Sequence, residues 1–133
     1  MSGVFADTFY FLALVNPNDQ SHARAVAMAL AIQEKLVTTA WVLTKFADAM
    51  SAPVNRAVFT ATLADLRSDP QVEIIPPDAA LFELGLELYD GRPDKEWSLT
   101  DCISFVAMQK AGLKQALTGD RHFEQAGFIA LLK

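Results

Sequence analysis

The sequence predicts an α/β fold: a three-layer α/β/α sandwich with a central, mainly parallel sheet of four to five short strands. Short apolar segments alternate with longer segments of helical periodicity along the whole chain. Strands separated by helices pair in parallel through crossovers, which places helices on both faces of the sheet. The 133 residues, 52% of them hydrophobic, suit one domain over residues 1–133 with a substantial buried core.

In the first half of the chain, each element has a local signal. The apolar residues 4–6 predict a strand that ends at Asp7, and helices are expected over 8–15 and 22–34. A second strand at 35–38 leads to a helix that Thr39 caps and that runs to about residue 50. Pro53 suits the first turn of the next helix, which extends to residue 67.

In the second half, strands and helices continue to alternate. A third strand at 71–75 precedes a helix that Asp78 caps, and a polar, Gly- and Pro-containing loop follows over 90–97. Ser98 and Asp101 have the spacing of a capping box, which predicts a helix from there to about residue 111. A fourth strand at 115–118, a short helix after Asp120 and a fifth strand at 128–132 complete the prediction.

The composition excludes several classes of protein. Sixteen acidic and eleven basic side chains give a formal charge of −5, which argues against bulk electrostatic attraction to nucleic acid. No apolar run approaches the ~20 residues of a membrane span, and the opening segment lacks the basic region of a signal peptide. The single cysteine excludes an internal disulfide and a cysteine-based zinc site. We therefore expect a cytoplasmic protein without membrane contact.

Three acids lie where a parallel sheet would bring them together. Asp7 follows the first strand, Asp120 follows the fourth, and Asp101 lies at the start of a helix. Functional sites in such folds form beyond the carboxyl ends of the strands. Each acid also has a local alternative role, because a carboxylate at a helix start accepts backbone N–H groups and interacts favourably with the helix dipole. The case for a site rests on all three together.

Three carboxylates without a cysteine or histidine cluster suit a hard, oxygen-seeking cation. Mg²⁺ and Mn²⁺ take one or two carboxylates directly and combine them with water and substrate phosphates. Such an ion activates water and neutralises charge during phosphodiester displacement. It also reverses the local field, so that an acidic protein can hold a phosphate there.

Five segments, in order along the chain, carry a family resemblance. They are VFADT at 4–8, DxxHxxA at 19–25, VTTAWVLT at 37–44, DKxWSLTDC at 94–102 and ALTGDRHF at 116–123. The sequence resembles PIN-domain proteins of the kind that serve as the toxin of bacterial type II toxin–antitoxin pairs (VapC-like). The combination of segments spans nearly the whole chain and is specific, although no single segment is.

The resemblance implies a Mg²⁺- or Mn²⁺-dependent endoribonuclease. Asp7, Asp101 and Asp120 match the acidic metal-site positions of the family and are the implied catalytic residues. Asp94 matches a further acid, which either assists through water or only caps its loop, and Thr118 matches a small hydroxyl residue near the metal. The implied partners are an RNA substrate, a cognate antitoxin and a second copy of the chain in a homodimer.

One position departs from the family pattern. The chain has Lys45 in Thr44-Lys45-Phe46, where the family usually has Glu. An ammonium ~4–5 Å from a divalent ion repels it by several kcal/mol even at an effective dielectric of about 20. Three interpretations are open: Lys45 replaces the charge of the metal, its long stem carries the ammonium to solvent or to an RNA phosphate, or the metal binds weakly through the three acids alone. An ordinary i,i+3 pair with Asp48 is also compatible with this spacing.

Basic residues near the acids are candidates for RNA contact. Arg92, Lys95 and Arg121 flank the predicted site, and solvated loop charges are an equally good interpretation of them. For His122 we favour a simple role at a helix start over chemistry. Two functions outside catalysis also remain open: a PIN-fold protein that Lys45 makes inactive and that binds RNA without cleavage, and an interaction module whose helices at 40–50 and 53–68 form an antitoxin groove.

Overall fold

The computed structural model describes residues 3–133. The chain forms five strands and seven helices, which alternate along much of the sequence. In chain order they are β1 (Gly3–Ala6), α1 (Thr8–Val15), α2 (His22–Ala31), β2 (Lys35–Thr39), α3 (Ala40–Ala49), α4 (Pro53–Ser68), β3 (Val72–Ile75), α5 (Ala79–Gly91), α6 (Leu99–Ala111), β4 (Gln115–Leu117), α7 (Arg121–Gln125) and β5 (Ile129–Ala130).

The five strands form one parallel sheet in the order β3-β2-β1-β4-β5. The short apolar β1 is the central strand and is buried because both of its edges are paired, with β2 and with β4. The three-layer α/β/α prediction is confirmed. In particular, Phe5 pairs with Ala116 and Ala6 with Leu117, so the residues that follow β1 and β4 lie side by side.

Most helix starts lie where the predicted caps lie. The Thr39 hydroxyl accepts from the Val42 N–H, and Asp78 caps α5 in the same way. Pro53 occupies the first turn of α4. The Ser98–Asp101 capping box is formed in both directions at the start of α6.

Aromatic side chains fill the core on which the helices pack. Phe11 stacks on Phe46 at a centroid distance of 5.3 Å, and Phe105 meets Phe123 edge to face at 4.9 Å. All four rings are fully buried. Within residues 3–133, no helix has the length and apolar character needed to cross a membrane.

Some predicted boundaries and burials differ from the structure. The fifth strand is reduced to Ile129–Ala130, because it pairs only with Gln115 and Ala116 of β4. Helical periodicity places Val58 on the same side of α4 as Leu63 and Leu66, but Val58 is 40% exposed, and α4 contains no fully buried residue. The helix α4 therefore covers the molecule from outside and does not enter the core.

Candidate metal centre

The ends of β1 and β4 bring two of the predicted acids together through a threonine. The Thr118 hydroxyl donates to Asp7 Oδ2 at 2.9 Å, and Thr118 Oγ1 in turn accepts from the Asp120 N–H at 3.1 Å. Thr118 is fully buried and follows β4, as Asp7 follows β1. The parallel pairing of the two strands therefore holds Asp7 and Asp120 on either side of one hydroxyl.

Asp7 is not used as a helix cap. It occupies the position before α1, but its side chain makes no capping hydrogen bond. The residue is only 6% exposed. Burial raises the pKa of Asp7 from 3.8 to about 6, the Thr118 hydrogen bond opposes this rise, and the charges of Asp101 and Asp120 add to it. Such a buried carboxylate, held close to other acids, is typical of a functional site.

Asp101 and Asp120 act as helix caps with one oxygen each. Asp101 Oδ2 accepts from the Ser98 N–H at 3.2 Å, and Asp120 Oδ1 accepts from the His122 N–H at 2.9 Å. Within residues 3–133, the other oxygens, Asp101 Oδ1 and Asp120 Oδ2, accept no hydrogen bond. The capping roles and a role in cation binding are therefore compatible, because each carboxylate keeps a free oxygen.

His122 belongs to the same cluster, although the sequence favours only a helix-start role for it. Its Nδ1 lies 3.2 Å from Asp101 Oδ2 and 3.4 Å from Asp120 Oδ1. One potential ligand atom from each of Asp101, Asp120 and His122 lies within 4.8 Å of the others. Asp7 lies outside this group and is joined to it through Thr118. The sequence signal for this role is the position of His122, two residues after Asp120 at the end of a strand.

The donor set of this edge fits a divalent cation. Carboxylate oxygens from Asp7, Asp101 and Asp120 are the ligands that hard divalent ions prefer, and an imidazole nitrogen adds a donor that transition ions accept. Two ligands of one such ion lie up to roughly 4–5 Å apart, which is the scale of the Asp101, Asp120 and His122 group. The protein therefore has an acidic group that can hold a metal.

Gly119 allows the close packing of this strand end. A Cβ at this position would lie 2.5 Å from Phe9 Cζ, closer than carbon atoms can approach. A side chain here would displace the Phe9 ring or the backbone between Thr118 and Asp120. The glycine in the Thr-Gly-Asp sequence therefore allows the Phe9 ring of α1 to pack directly against this strand end.

Lys45, which stands where the family usually has Glu, lies on α3 and is exposed. Its side chain is exposed and forms no ion pair with any acid of residues 3–133, including Asp48. It is also not among the charges that act on Asp7. Within residues 3–133, no ion pair holds the Lys45 ammonium beside the three acids.

Asp94 lies on the loop before α6 and is paired elsewhere. Arg92 donates to both of its oxygens at 3.0 Å, and this hydrogen bonding lowers the pKa of the exposed Asp94 carboxyl. The structure therefore does not bring Asp94, predicted as a further acid of the site, into the cluster. Both of its oxygens are already occupied by a guanidinium.

The same loop forms an open cleft of about 770 Å³ beside the start of α6. Arg92 lies over the Trp97 ring at 5.2 Å and Lys95 at 6.0 Å, while Trp97 Nε1 donates to Gln125 at 3.0 Å. Trp97 is 6% exposed, so it supports the two cations and offers no face to a nucleotide base. Arg121, beside Asp120, is exposed to solvent.

Comparisons with known proteins agree with this fold. The PIN domain family matches residues 4–129. The 23S rRNA-specific endonuclease VapC20 of Mycobacterium tuberculosis is 28% identical over 127 residues, which cover 95% of each protein.

Two solved structures are similar over almost the whole chain. The crystal structure of M. tuberculosis VapC20, described as a sarcin-ricin loop cleaving toxin, superposes with a TM-score of 0.87 at 27% identity, covering 95% of this chain and 96% of that one. FitAcB from Neisseria gonorrhoeae has a TM-score of 0.68 at 17% identity, with 96% and 94% covered, which supports the fold alone. On the match over residues 4–129, the chain belongs to the PIN domain family.

Proposed function

We propose that this protein is a divalent-metal-dependent endoribonuclease and the toxin of a toxin–antitoxin pair. The observation that carries the proposal is the buried Asp7 carboxylate, held beside Asp101 and Asp120 at the carboxyl edge of the sheet. The likeness to VapC20, an endonuclease that acts on 23S rRNA, supports the same activity.

The three carboxylates would hold Mg²⁺ or Mn²⁺, with Asp7, Asp101 and Asp120 as ligands. When bound, such an ion neutralises charge on a phosphodiester and makes water a stronger nucleophile. The remaining residues of the site orient these ligands. Thr118 fixes Asp7 by its hydroxyl, and Ser98 fixes Asp101 by the capping box. Asp94 is outside the proposed set because Arg92 occupies both of its oxygens.

RNA is the proposed substrate, and exposed cations near the acids are its proposed contacts. The chain as a whole has a charge of −5, so attraction to RNA must be local. Arg121 adjoins Asp120 in sequence, and Lys45 lies exposed on α3, where its ammonium is free to meet a phosphate. Ribosomal RNA is the first substrate to test, because the relative VapC20 acts on 23S rRNA.

An antitoxin is the proposed protein partner, and an apolar groove is its proposed binding site. The groove has a volume of about 410 Å³ and lies between α3, α4 and the end of β3. Leu43, Phe59 and Leu63 form its apolar wall, and Arg67 lies at its edge. These properties suit an amphipathic helix with an acidic residue near one end. Homodimer formation remains a separate proposal, which light scattering of the purified chain tests.

A single comparison tests the catalytic proposal against its alternative. We expect the native protein to cleave ribosomal RNA in Mn²⁺ and to lose activity in EDTA. Asp7→Asn should reduce the rate by about 10²–10³-fold, the usual cost of removing one preorganised electrostatic contact. Asp65→Asn, on the outer helix α4, should leave the rate unchanged.

Lys45→Glu distinguishes an active enzyme from an impaired one. Equal, Asp7-dependent cleavage by the native protein and Lys45→Glu would support an active enzyme whose lysine lies outside the metal site. Cleavage by Lys45→Glu alone would instead identify the native chain as an RNA- or partner-binding protein without activity. Absence of Asp7-dependent cleavage in both proteins would contradict the nuclease proposal.

A further inference from the structure

We infer that His122 is a ligand of the divalent ion and that its nitrogen makes the site selective for Mn²⁺ over Mg²⁺. The inference rests on the proposed metal-dependent function and adds a residue that the acidic pattern does not contain. His122 would add a fourth ligand to the three acids. This chain has Lys45 at the position where the family usually has a further acid.

The first argument is the position of the imidazole. Nδ1 of His122 lies between two carboxylates, 3.2 Å from Asp101 Oδ2 and 3.4 Å from Asp120 Oδ1. Within residues 3–133, these three residues form the group whose ligand atoms all lie within 4.8 Å of one another. The nitrogen and the two carboxylates therefore lie close enough together to contact one shared ion.

The second argument is that the imidazole is held in place. The His122 N–H donates to Asp120 Oδ1, which fixes the first turn of α7. The next residue, Phe123, is fully buried and packs on Phe105 at 4.9 Å and on Phe5 at 6.4 Å. The His122 side chain is itself only 19% exposed. Packing of α7 on the core therefore restrains the backbone of His122, and the contact with Asp101 restrains its ring, as a preorganised ligand requires.

The third argument concerns the chemistry of the donors. Mg²⁺ prefers oxygen ligands, whereas Mn²⁺ and later transition ions bind imidazole more tightly. A neutral His122 with its proton on Nε2 presents the Nδ1 lone pair to the ion. Without an ion, the tautomer with its proton on Nδ1 donates to Asp101 Oδ2 at 3.2 Å, so the same nitrogen has a partner in both states.

Nitrogen labelling provides a direct test of ligation. In pulsed electron paramagnetic resonance, Mn²⁺ bound to the native protein should show coupling to a histidine nitrogen. Labelling the protein with ¹⁵N-histidine should change the frequency of this coupling. The chain has two histidines, and His22 Nδ1 lies 2.8 Å from the Ala13 carbonyl oxygen, where α2 packs on α1. The coupling should disappear in His122→Asn and persist in His22→Gln. Bound Mn²⁺ without nitrogen coupling in the native protein would overturn the inference.

Calorimetry separates ligation from simple positioning of the acids. Asparagine at position 122 keeps an N–H donor near the place of Nδ1 but removes the imidazole. We expect His122→Asn to weaken Mn²⁺ binding by about tenfold or more while Mg²⁺ affinity changes far less. Equal losses for both ions would overturn the inference, as would unchanged Mn²⁺ affinity. His122→Gln provides a second variant if the first does not fold.

These outcomes differ from those that would contradict the proposed function. Failure of the nuclease proposal gives no Asp7-dependent cleavage of RNA. Failure of the ligand role leaves Mn²⁺ binding and cleavage intact, with no nitrogen coupling and no change in the ratio of Mn²⁺ to Mg²⁺ affinity.

Discussion

At the scale of single residues, Asp7 combines a structural cost with a proposed role in metal binding. The carboxylate is buried, its pKa is raised to about 6, and it replaces the usual capping bond of α1 by a bond from Thr118. A charged group in this environment destabilises the folded protein relative to a neutral one. The residue is therefore better explained by cation binding than by stability.

The first prediction concerns the stability of Asp7→Asn as a function of pH. The folded state binds a proton at Asp7 more tightly than the unfolded state, so native stability falls as pH rises from about 4 to 6. Above that window, Asp7→Asn should be more stable than the native protein by about 2–3 kcal/mol. Well below pH 3.8 this difference should vanish, because Asp7 is then protonated in both the folded and the unfolded native protein. Urea unfolding at several pH values measures it.

Asp65→Asn is the control for this prediction, because Asp65 is exposed on α4. Its stability should follow that of the native protein within about 0.5 kcal/mol at every pH. A native protein more stable than Asp7→Asn at pH 8, without metal, would contradict the raised pKa.

A second prediction concerns the hydroxyl that joins Asp7 and Asp120. Thr118→Val removes the bond that lowers the pKa of Asp7, so this pKa should rise above about 6. The variant should also lose about 1–3 kcal/mol of stability, because the Asp120 N–H loses its acceptor. Carboxyl ¹³C titration by NMR measures the pKa. Thr118→Ser keeps the hydroxyl. The same Asp7 pKa in Thr118→Val and Thr118→Ser would show that the hydroxyl does not lower this pKa.

At the scale of elements, the packing of α5 on α6 determines where Asp101 lies. Gly85 is buried on α5, and a Cβ there would lie 2.4 Å from Ile103 Cγ1 and 3.2 Å from Ile103 Cα. The helices approach closely at this point, two residues from Asp101. The position of the Ser98 capping box therefore depends on a glycine whose role the sequence pattern does not indicate.

The third prediction follows from this close approach. Gly85→Ala should destabilise the protein by about 1–3 kcal/mol, because overpacking outweighs the better helix propensity of alanine. Gly91→Ala, in the same helix, meets no atom within 4 Å and should be neutral or stabilising. Thermal unfolding of the two variants makes the comparison. Equal changes in unfolding temperature for Gly85→Ala and Gly91→Ala would show that α5 and α6 can move apart without loss of stability.

Local sequence signals were sufficient for most elements and insufficient for the details of the site. Capping residues such as Thr39 and Asp78 act within one turn, so the helix starts were predictable. The direction of the His122 ring depends on how α7 packs against α6, and the exposure of Lys45 depends on how α3 sits in the fold. Neither dependence is visible in the neighbouring residues. The same holds for the exposure of Val58, which helical periodicity places on the same side of α4 as Leu63 and Leu66.

At the scale of the whole molecule, the site connects β1, α6 and β4. An ion that binds the folded protein and not the unfolded chain stabilises the fold by about 2.7 kcal/mol at a hundred times its dissociation constant. The fourth prediction is that Mn²⁺ raises the unfolding temperature of the native protein. This increase should shrink as pH falls from 7.5 through about 6, because the proton competes with the ion at Asp7.

Differential scanning calorimetry with and without Mn²⁺ measures this effect, and Asp7→Asn is its control. The increase should be much smaller in that variant and nearly independent of pH above 6. An equal, pH-independent increase in both proteins would show that the ion binds without Asp7.

The hydrogen bond between Thr118 and Asp7 joins residues that are 111 positions apart. A ribosome that adds 5–20 residues per second completes this interval in roughly 5–20 s. During most of that time, the growing chain contains Asp7 but not yet Asp101, Thr118 or Asp120. A nascent chain therefore has no complete site until synthesis has passed Asp120, because Thr118 joins Asp7 to Asp120. The order of the acids along the chain delays activity during translation, before any partner is needed to restrain it.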